Sequence, residues 1–260
     1  ARMLTEAARK YKVVTQMGNQ GHSGQGVKTF EKMVADNAIG DITEAHAWTN
    51  RPVWPQGVNM PPQEIPVPEG LDWNLWIGPA PFRPYAQFPD VNNTRGGGMQ
   101  TYAPFNWRGW WDFGAGALGD MACHVLDCAF SGLKLKYPTS VEACASPVND
   151  QTFPMASIIR FEFPAREGMP PVKLTWYDGG LKPSRPPLLG NPELRIGTAQ
   201  SCTIFIGTKG IIRTGEYGDN PSILPRELME QYRQANPSET PVGSRGNFMG
   251  AMGAGVNMRQ

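Results

Sequence analysis

The stretch that decides the fold is "KVVTQMGNQGHSGQGVKTFEKMVADNAIGDITEAHAWTN", residues 12–50. Its β-branched run at 12–17 predicts a strand, and the Gly-rich residues 18–26 predict a turn. Apolar residues at helical spacing predict a helix over 27–38, and β-branched and aromatic residues predict a second strand at 41–50. Strand, helix and strand in succession are the pattern of an α/β layer.

Outside that stretch, the pattern predicts more helices and an antiparallel sheet. A helix is expected at 2–11, a short one at 72–77, one long helix at 115–132 and a last one at 223–234. Residues 51–112 are rich in Pro, Trp and Gly, which is typical of functional loops. Several short strands separated by turns predict one mostly antiparallel sheet. These strands are expected near 139–146, 155–163, 172–178, 202–207 and 210–214.

Strand 41–50 is expected to join that sheet. Period-2 alternation predicts one face with Ile42, Glu44, His46 and Trp48, and another with Thr43, Ala45 and Ala47. The sequence has too little helix to cover both faces of the sheet. We therefore expect the open face to be used in self-association, so that the protein is a homo-oligomer.

Composition excludes several classes of partner. The 260 residues carry 24 basic and 23 acidic side chains, a net charge of +1, so neither nucleic acid nor an anionic membrane surface is an expected partner. No apolar run is long enough to span a membrane. The four cysteines form no CxxC motif and are expected to be free, buried thiols. Both ends of the chain read as cut, and no signal peptide is visible.

The Gly-rich turn after the first predicted strand lies where a dinucleotide-binding loop would lie. Its glycines match neither GxGxxG nor GxxxxGK[ST], so direct binding of a pyrophosphate is not expected there. Ligands of open α/β sheets nevertheless gather at the carboxyl ends of strands. Asn19, Gln20 and His22 are therefore candidate cofactor contacts. For His22, a solvated loop position is an equally good interpretation.

The segment "GALGDMACHVLD", residues 116–127, carries the main candidate chemistry. Asp120, His124 and Asp127 are spaced i, i+4 and i+7, which predicts one face of a single helix, with His124 bordering a cleft. A carboxylate one turn from an imidazole can fix its tautomer and raise its basicity. Two other interpretations stay open: a hydrogen-bonded core histidine, and a three-ligand metal site, which no further His or Cys cluster supports.

A third feature is a set of aromatic and basic residues in the loops. Tryptophan faces stack on the apolar faces of sugar rings, and arginine binds hydroxyls or carboxylates. An alternative for each tryptophan is that it anchors a long loop onto the body of the protein. The candidate substrate-binding residues are Arg51, Trp54, Trp107, Arg108 and Trp111, with Asp127 beside them.

Four segments together resemble the Gfo/Idh/MocA family of oxidoreductases. They are "QMGNQGHSG", "TNRPVWPQG", "DWNLWIGPAPFRPY" and "NWRGWWDFGAGALGDMACHVLD". The resemblance implies an α/β (α+β) fold: a remnant of a Rossmann domain, followed by an open, mostly antiparallel sheet domain with helices on one face. Residues 1–40 would be the end of the Rossmann-like domain, 41–235 the substrate and oligomerisation domain, and 236–260 an irregular tail.

The resemblance also implies an activity. The family's Asp-x-x-x-His motif matches Asp120 and His124, which would make His124 the proton acceptor with Asp120 beside it and Asp127 further out. The family's glycine-rich loop and its Glu-Lys-Pro motif are not in this sequence. We therefore expect a fragment of an enzyme that uses NAD or NADP to oxidise or reduce a hydroxyl of a sugar, glycoside or cyclitol.

Two alternatives to that activity remain open. One is an NAD-dependent glycoside hydrolase or lyase that acts by oxidation and elimination. The other is a non-catalytic sugar-binding or assembly module. A cytoplasmic and an exported location are both compatible with the sequence.

Overall fold

The computed structural model describes residues 2–16, 18–58, 63–88, 101–190, 196–198 and 200–237. The helices are α1 (Arg2–Tyr11), α2 (Gln25–Ala35), α3 (Trp73–Ile77), α4 (Gly116–Val125), α5 (Asp127–Gly132) and α6 (Arg226–Ala235). The strands are β1 (Ile42–Thr49), β2 (Gln63–Glu64), β3 (Ala86–Gln87), β4 (Ser140–Ala145), β5 (Ser157–Phe163), β6 (Val172–Tyr177), β7 (Ser201–Gly207), β8 (Ile211–Thr214) and β9 (Ser222–Leu224). Within these ranges, no helix is both long and apolar enough to cross a membrane. Most of the predicted tail at 236–260 lies outside the described residues.

Seven strands form one sheet in the order β4-β5-β6-β1-β7-β8-β9. Every neighbouring pair is antiparallel except β1 and β6, which run parallel. The predicted, mostly antiparallel sheet is therefore confirmed, and β1 lies at its centre. The three-residue strand β9 was not predicted: the last helix was expected to begin at residue 223, but residues 222–224 pair with β8 and α6 begins only at Arg226.

Helices cover one face of this sheet. Phe30 of α2 is fully buried, and its ring lies 4.3 Å from that of Phe205 in β7. Val125 of α4 and Ala129 of α5 belong to the same core. Helix α2 therefore shares a core with the sheet, while a domain boundary at residue 40 stays a prediction.

The predicted strand at 12–17 is wrong for the residues that are described. Residues 12–16 form no strand, and Met17 lies outside the described residues. Val14 is 98% exposed and Val13 is 54% exposed. A β-branched run favours a strand only where another strand pairs with it, and the described part of the chain offers none here.

The single helix predicted at 115–132 is also wrong, because it is two helices. Helix α4 ends at Val125 and α5 begins at Asp127, with Leu126 between them at φ −88° and ψ −8°. At this break the Thr203 hydroxyl of β7 donates a hydrogen bond of 2.8 Å to the Val125 carbonyl. A tertiary contact of this kind leaves no mark on helical periodicity.

Strand β1 alternates differently from the prediction. Its register with β7 shifts between Ile42 and Glu44. The irregularity places Ile42 in the helix-covered core together with Ala45 and Ala47. Trp48 packs on the opposite face, as predicted, in a second cluster. One extra residue in a bulge reverses the face of every side chain before it.

All four cysteines are free, as expected, but only two are buried. Cys128 lies in the helix-covered core and Cys202 in the cluster on the opposite face. Cys123 and Cys144 are exposed, contrary to the prediction. Cys144 is exposed because β4 is an edge strand on which every residue is exposed.

Candidate functional site

Three segments meet near the junction of α4 and α5. They are that junction, the Gly-rich loop at 18–24, and the turn at 215–219. A Cβ on Gly21 would collide with the backbone of Tyr217, and a Cβ on Gly218 would meet Cys128 Sγ. The loop therefore packs tightly on the turn, and the turn packs on α5.

Asp120 pairs with Arg108 across this region. Its Oδ1 accepts a hydrogen bond of 3.0 Å from Arg108 Nε, and both side chains are about one quarter exposed. The guanidinium lies over the rings of Phe105 and Trp107, at 4.2 and 4.6 Å from their centroids. Among the described residues, Asp120 makes no hydrogen bond with His124. The expected support of the His124 imidazole by Asp120 is therefore not seen.

His124 is half-buried and packs edge-to-face against Tyr217, with ring centroids 5.2 Å apart. Its Nδ1 is buried and has no hydrogen-bond partner within the described ranges. Because the residue as a whole is only half-buried, a ligand would reach the ring through atoms other than Nδ1. A buried imidazole nitrogen without a hydrogen-bond partner lowers the stability of the folded state. A role in function is one reason why a protein retains such a group.

Tyr217 was missed by sequence reasoning. Burial, together with the neighbouring Glu216 carboxylate, raises its pKa to about 12. The charge of Arg51 acts in the opposite direction, which places that predicted residue within electrostatic reach of the site. The phenol therefore stays protonated at neutral pH and can donate a hydrogen bond. Nothing in the turn sequence "GEYGD" distinguishes this tyrosine before the fold is known.

Asp127 faces the Gly-rich loop. Its two oxygens lie 2.9 and 3.0 Å from His22 Nδ1, and Asn19 Nδ2 donates a hydrogen bond of 3.2 Å to Oδ1. Gln20 is exposed. Two of the three predicted cofactor contacts are therefore gathered on Asp127, whose role in substrate binding stays a prediction.

The predicted tryptophans lie in three different environments. Trp107 is half-buried beside Arg108. Trp54 is 4% exposed, and its Nε1 donates a hydrogen bond of 2.7 Å to Gln56 Oε1, as expected of a loop anchor. Trp111 is 43% exposed, with its ring 3.7 Å from that of Phe153. Trp107 and Trp54 both adjoin Arg108 of the Asp120–Arg108 pair, with ring centroids 4.6 and 6.0 Å from its guanidinium, and substrate binding by all three tryptophans stays a prediction.

The residues present do not fit the pyrophosphate of a dinucleotide. Helix α2 begins at Gln25, and its N-terminal amides are the natural place for such a group. However, the Gly218 carbonyl sits where a Cβ on Gly26 would be, so the turn at 215–219 already covers this helix end. Within the described ranges, no three His, Cys, Asp or Glu side chains are grouped so that they could hold a metal ion.

A cavity of about 400 Å³ lies between the helix pair and the sheet. It is lined by Leu118, Ala122, Cys123, Leu126, Asp127, Phe130, Phe161 and Leu174. The lining is apolar apart from Asp127 and the Cys123 thiol, which does not suit a sugar. His124 is not part of the lining, so the prediction that it borders a cleft stays a prediction.

Residues 24–163 match the model of a protein domain described as "Oxidoreductase family, C-terminal alpha/beta domain", of the Gfo/Idh/MocA group. The chain belongs to the Gfo/Idh/MocA oxidoreductase family. The family inferred from the four sequence segments is thereby confirmed. A comparison of the chain with curated proteins found no match.

Solved structures with a similar fold include enzymes and a mutant repressor. A super-repressor mutant of Gal80p from Saccharomyces cerevisiae is 13% identical over 82% of this chain and 44% of its own, with a TM-score of 0.46. The WlbA dehydrogenase from Bordetella pertussis, in complex with NADH and UDP-GlcNAcA, is 11% identical over 93% and 58%, with a TM-score of 0.45. Levoglucosan dehydrogenase, in complex with NADH and L-sorbose, is 14% identical over 85% and 46%, with a TM-score of 0.45. The chain spans about half the length of these structures.

Proposed function

We propose that this chain is the substrate-binding and proton-handling part of an NAD(P)-dependent oxidoreductase that acts on a hydroxyl of a sugar, glycoside or cyclitol. Membership of an oxidoreductase family supports the reaction class. The substrate class is inferred from the Arg108–Asp120 pair, which lies beside Trp107 and near the junction of α4 and α5, where His124 is found.

The Arg108–Asp120 pair suits a polyhydroxylated ligand. A guanidinium and a carboxylate held together present donors and acceptors at fixed positions, which is how proteins recognise neighbouring hydroxyls. Trp107 adds an aromatic face on which the C–H groups of a sugar ring can stack. Because Arg108 is itself held between Phe105 and Trp107, the pair is oriented before a ligand arrives.

His124 accepts the proton of the reacting hydroxyl in this proposal. Its ring is fixed by the edge-to-face contact with Tyr217. Tyr217 cannot serve as the base at neutral pH, because burial raises its pKa to about 12. NAD(P), when bound, would supply the hydride acceptor for the carbon that carries the hydroxyl. Its pyrophosphate would be held by residues other than the first amides of α2, which the turn at 215–219 covers.

The test uses the full-length protein with NAD⁺ or NADP⁺ and a panel of hexoses, methyl glycosides and inositols. Reduction of the nicotinamide that requires one of these compounds would support the proposal. Release of the aglycone from an aryl glycoside without net reduction would assign the elimination reaction instead. Tight binding of a sugar with neither reaction would assign a binding module.

We also propose that the open face of the sheet mediates self-association. Helices cover the opposite face, and the open face carries Glu44, His46 and Lys173, with Glu44 and Lys173 more than half exposed. Light scattering should give a dimer or a larger oligomer. A Lys173→Glu substitution should weaken it, whereas a monomeric wild type would contradict self-association.

A further inference from the structure

The pairing of His22 with Asp127 determines the proton positions on that imidazole. Nδ1 lies within hydrogen-bond distance of both oxygens of Asp127, at 2.9 and 3.0 Å. An ionised carboxylate only accepts hydrogen bonds, so Nδ1 must carry a proton. In the neutral ring, Nε2 then holds the lone pair and is the basic nitrogen.

The carboxylate in this pair is itself held in place. Asn19 donates to Asp127 Oδ1 at 3.2 Å, and the Asp127 side chain is only 15% exposed. Gly21, with φ +95°, presses the loop against Tyr217, so His22 projects from a packed loop. The imidazole remains 54% exposed, which leaves Nε2 accessible to water.

His124 lacks an equivalent partner. The nearest carboxylate in its helix, Asp120, is bonded to Arg108, and its own Nδ1 is buried without a partner among the described residues. An imidazolium formed at His124 therefore has no carboxylate hydrogen-bonded to it. His124 and the His22 loop nevertheless contact the same residue, Tyr217, which His124 touches through its ring and Gly21 through its backbone.

We propose that His22 and Asp127 form a proton relay that carries the proton released at His124 to solvent. This inference rests on the proposed function. After His124 has taken the hydroxyl proton, its imidazolium loses that proton through intervening water, and His22 Nε2 gains it. The Asp127 carboxylate stabilises the resulting His22 imidazolium. His22 then releases the proton to a base in solution, so both imidazoles return to their starting state and no electrons are transferred.

The first test measures the tautomer of His22. This measurement needs neither a substrate nor an active enzyme. In ¹⁵N spectra of histidine-labelled full-length protein, the signals of His22 can be identified by their absence from the spectrum of His22→Gln. We expect neutral His22 to be protonated at Nδ1 in the wild type and to become a mixture of tautomers in Asp127→Ala, which has no acceptor for the Nδ1 proton. An Nε2-protonated His22, or a tautomer unchanged in Asp127→Ala, would overturn the relay.

The second test is the dependence of turnover on buffer. At low buffer concentration, His22→Ala should lower kcat by about 10- to 100-fold with KM unchanged, at the lower end of what a proton-transferring side chain contributes. Added imidazole should restore the rate, because the exposed position leaves room for it and a structural role would not respond to it. Asp127→Asn should lower kcat in the same direction. His46→Ala, a histidine on the open sheet face, is the matched control and should keep the wild-type kcat.

The outcomes separate the relay from the proposed function. A His22→Ala enzyme with the wild-type kcat at the lowest buffer concentration, or a defect that imidazole does not rescue, overturns the relay while the dehydrogenase stands. A wild-type protein that reduces neither NAD⁺ nor NADP⁺ with any compound of the panel overturns the proposed function. That result would overturn the relay as well. The tautomer of His22 would then show only whether His22 and Asp127 form the hydrogen-bonded pair.

Discussion

Asp120 Oδ1 accepts a hydrogen bond of 3.0 Å from Nε of Arg108, twelve residues before it in the chain. The pair joins α4 to the short 3-10 helix Asn106–Gly109, and the guanidinium lies over the rings of Phe105 and Trp107. The carboxylate that helical spacing assigns to His124 therefore bonds an arginine outside α4 instead. In the proposed mechanism, this exchange of partners separates the group that orients a substrate from the group that takes its proton.

Replacing Arg108 with Lys should impair substrate recognition. Lysine keeps the charge but loses the planar guanidinium that both bonds Asp120 and stacks on two rings. Hydrogen bonds to charged groups contribute about 1.5–3 kcal/mol, so kcat/KM for the sugar should fall by about 10- to 100-fold. The control is Arg226→Lys, in an exposed pair with Glu230 on α6, which should leave steady-state kinetics unchanged. An Arg108→Lys enzyme with the wild-type kcat/KM would contradict the assigned role.

Gly26→Ala should destabilise the chain although alanine favours helices. A Cβ at this position would collide with the Gly218 carbonyl and lie 2.9 Å from the Asp219 Cα, so the turn or α2 must move. Steric overpacking of this kind costs about 1–3 kcal/mol in the free energy of unfolding, measured by chemical denaturation. Gly18→Ala is the control, because nothing lies within 4 Å of its added Cβ. Equal stabilities of the two variants would show that the turn does not cover α2.

The sequence predicts elements well where local pattern and tertiary environment agree. Six of the seven strands of the main sheet are predicted from the sequence, because alternation and turn residues coincide there with strands that pair. Residues 12–16 have the composition of a strand, but the described part of the chain offers no strand to pair with them. At the break at Leu126, the Val125 carbonyl accepts a hydrogen bond from the Thr203 hydroxyl of β7. Both errors concern partners that lie far away in sequence.

The candidate site shows the same limit. The sequence identified Asp120, His124, Asp127, Arg108 and His22 as residue types capable of chemistry. It could not give the pairs Arg108–Asp120 and His22–Asp127, because helical spacing only reports neighbours within one element. Tyr217 carries no local signal, and only the packing of its turn against loop 18–24 reveals it.

Acid should destabilise the chain partly through His46. Burial lowers the pKa of this imidazole from 6.5, although the Glu44 carboxylate opposes the shift. Because the unfolded chain binds the proton more readily, the contribution of His46 to stability is present above pH 6.5 and is lost as pH falls through the lower, folded-state pKa. As the pH is lowered, the midpoint of chemical denaturation should therefore fall less steeply in His46→Gln than in the wild type. Parallel curves for the two proteins would contradict this assignment.

The 260-residue chain alone should bind NAD⁺ and NADP⁺ weakly or not at all. It has no GxGxxG loop, and the Gly218 carbonyl covers the start of α2, the helix that follows the Gly-rich loop. Calorimetry of the isolated chain is the measurement. Low-micromolar binding would contradict the view that the pyrophosphate is held elsewhere.

The central claim is that His124 takes a proton from a substrate hydroxyl in an NAD(P)-dependent oxidoreductase. The most direct measurement is the kcat of full-length His124→Ala, with NAD(P)⁺ and the sugar or cyclitol that the wild type oxidises, alongside His46→Ala. We expect kcat to fall by about 10²- to 10⁴-fold, the usual contribution of a positioned general base, with folding and cofactor affinity preserved and His46→Ala unimpaired. A His124→Ala enzyme that keeps full activity would contradict it and make the residue structural.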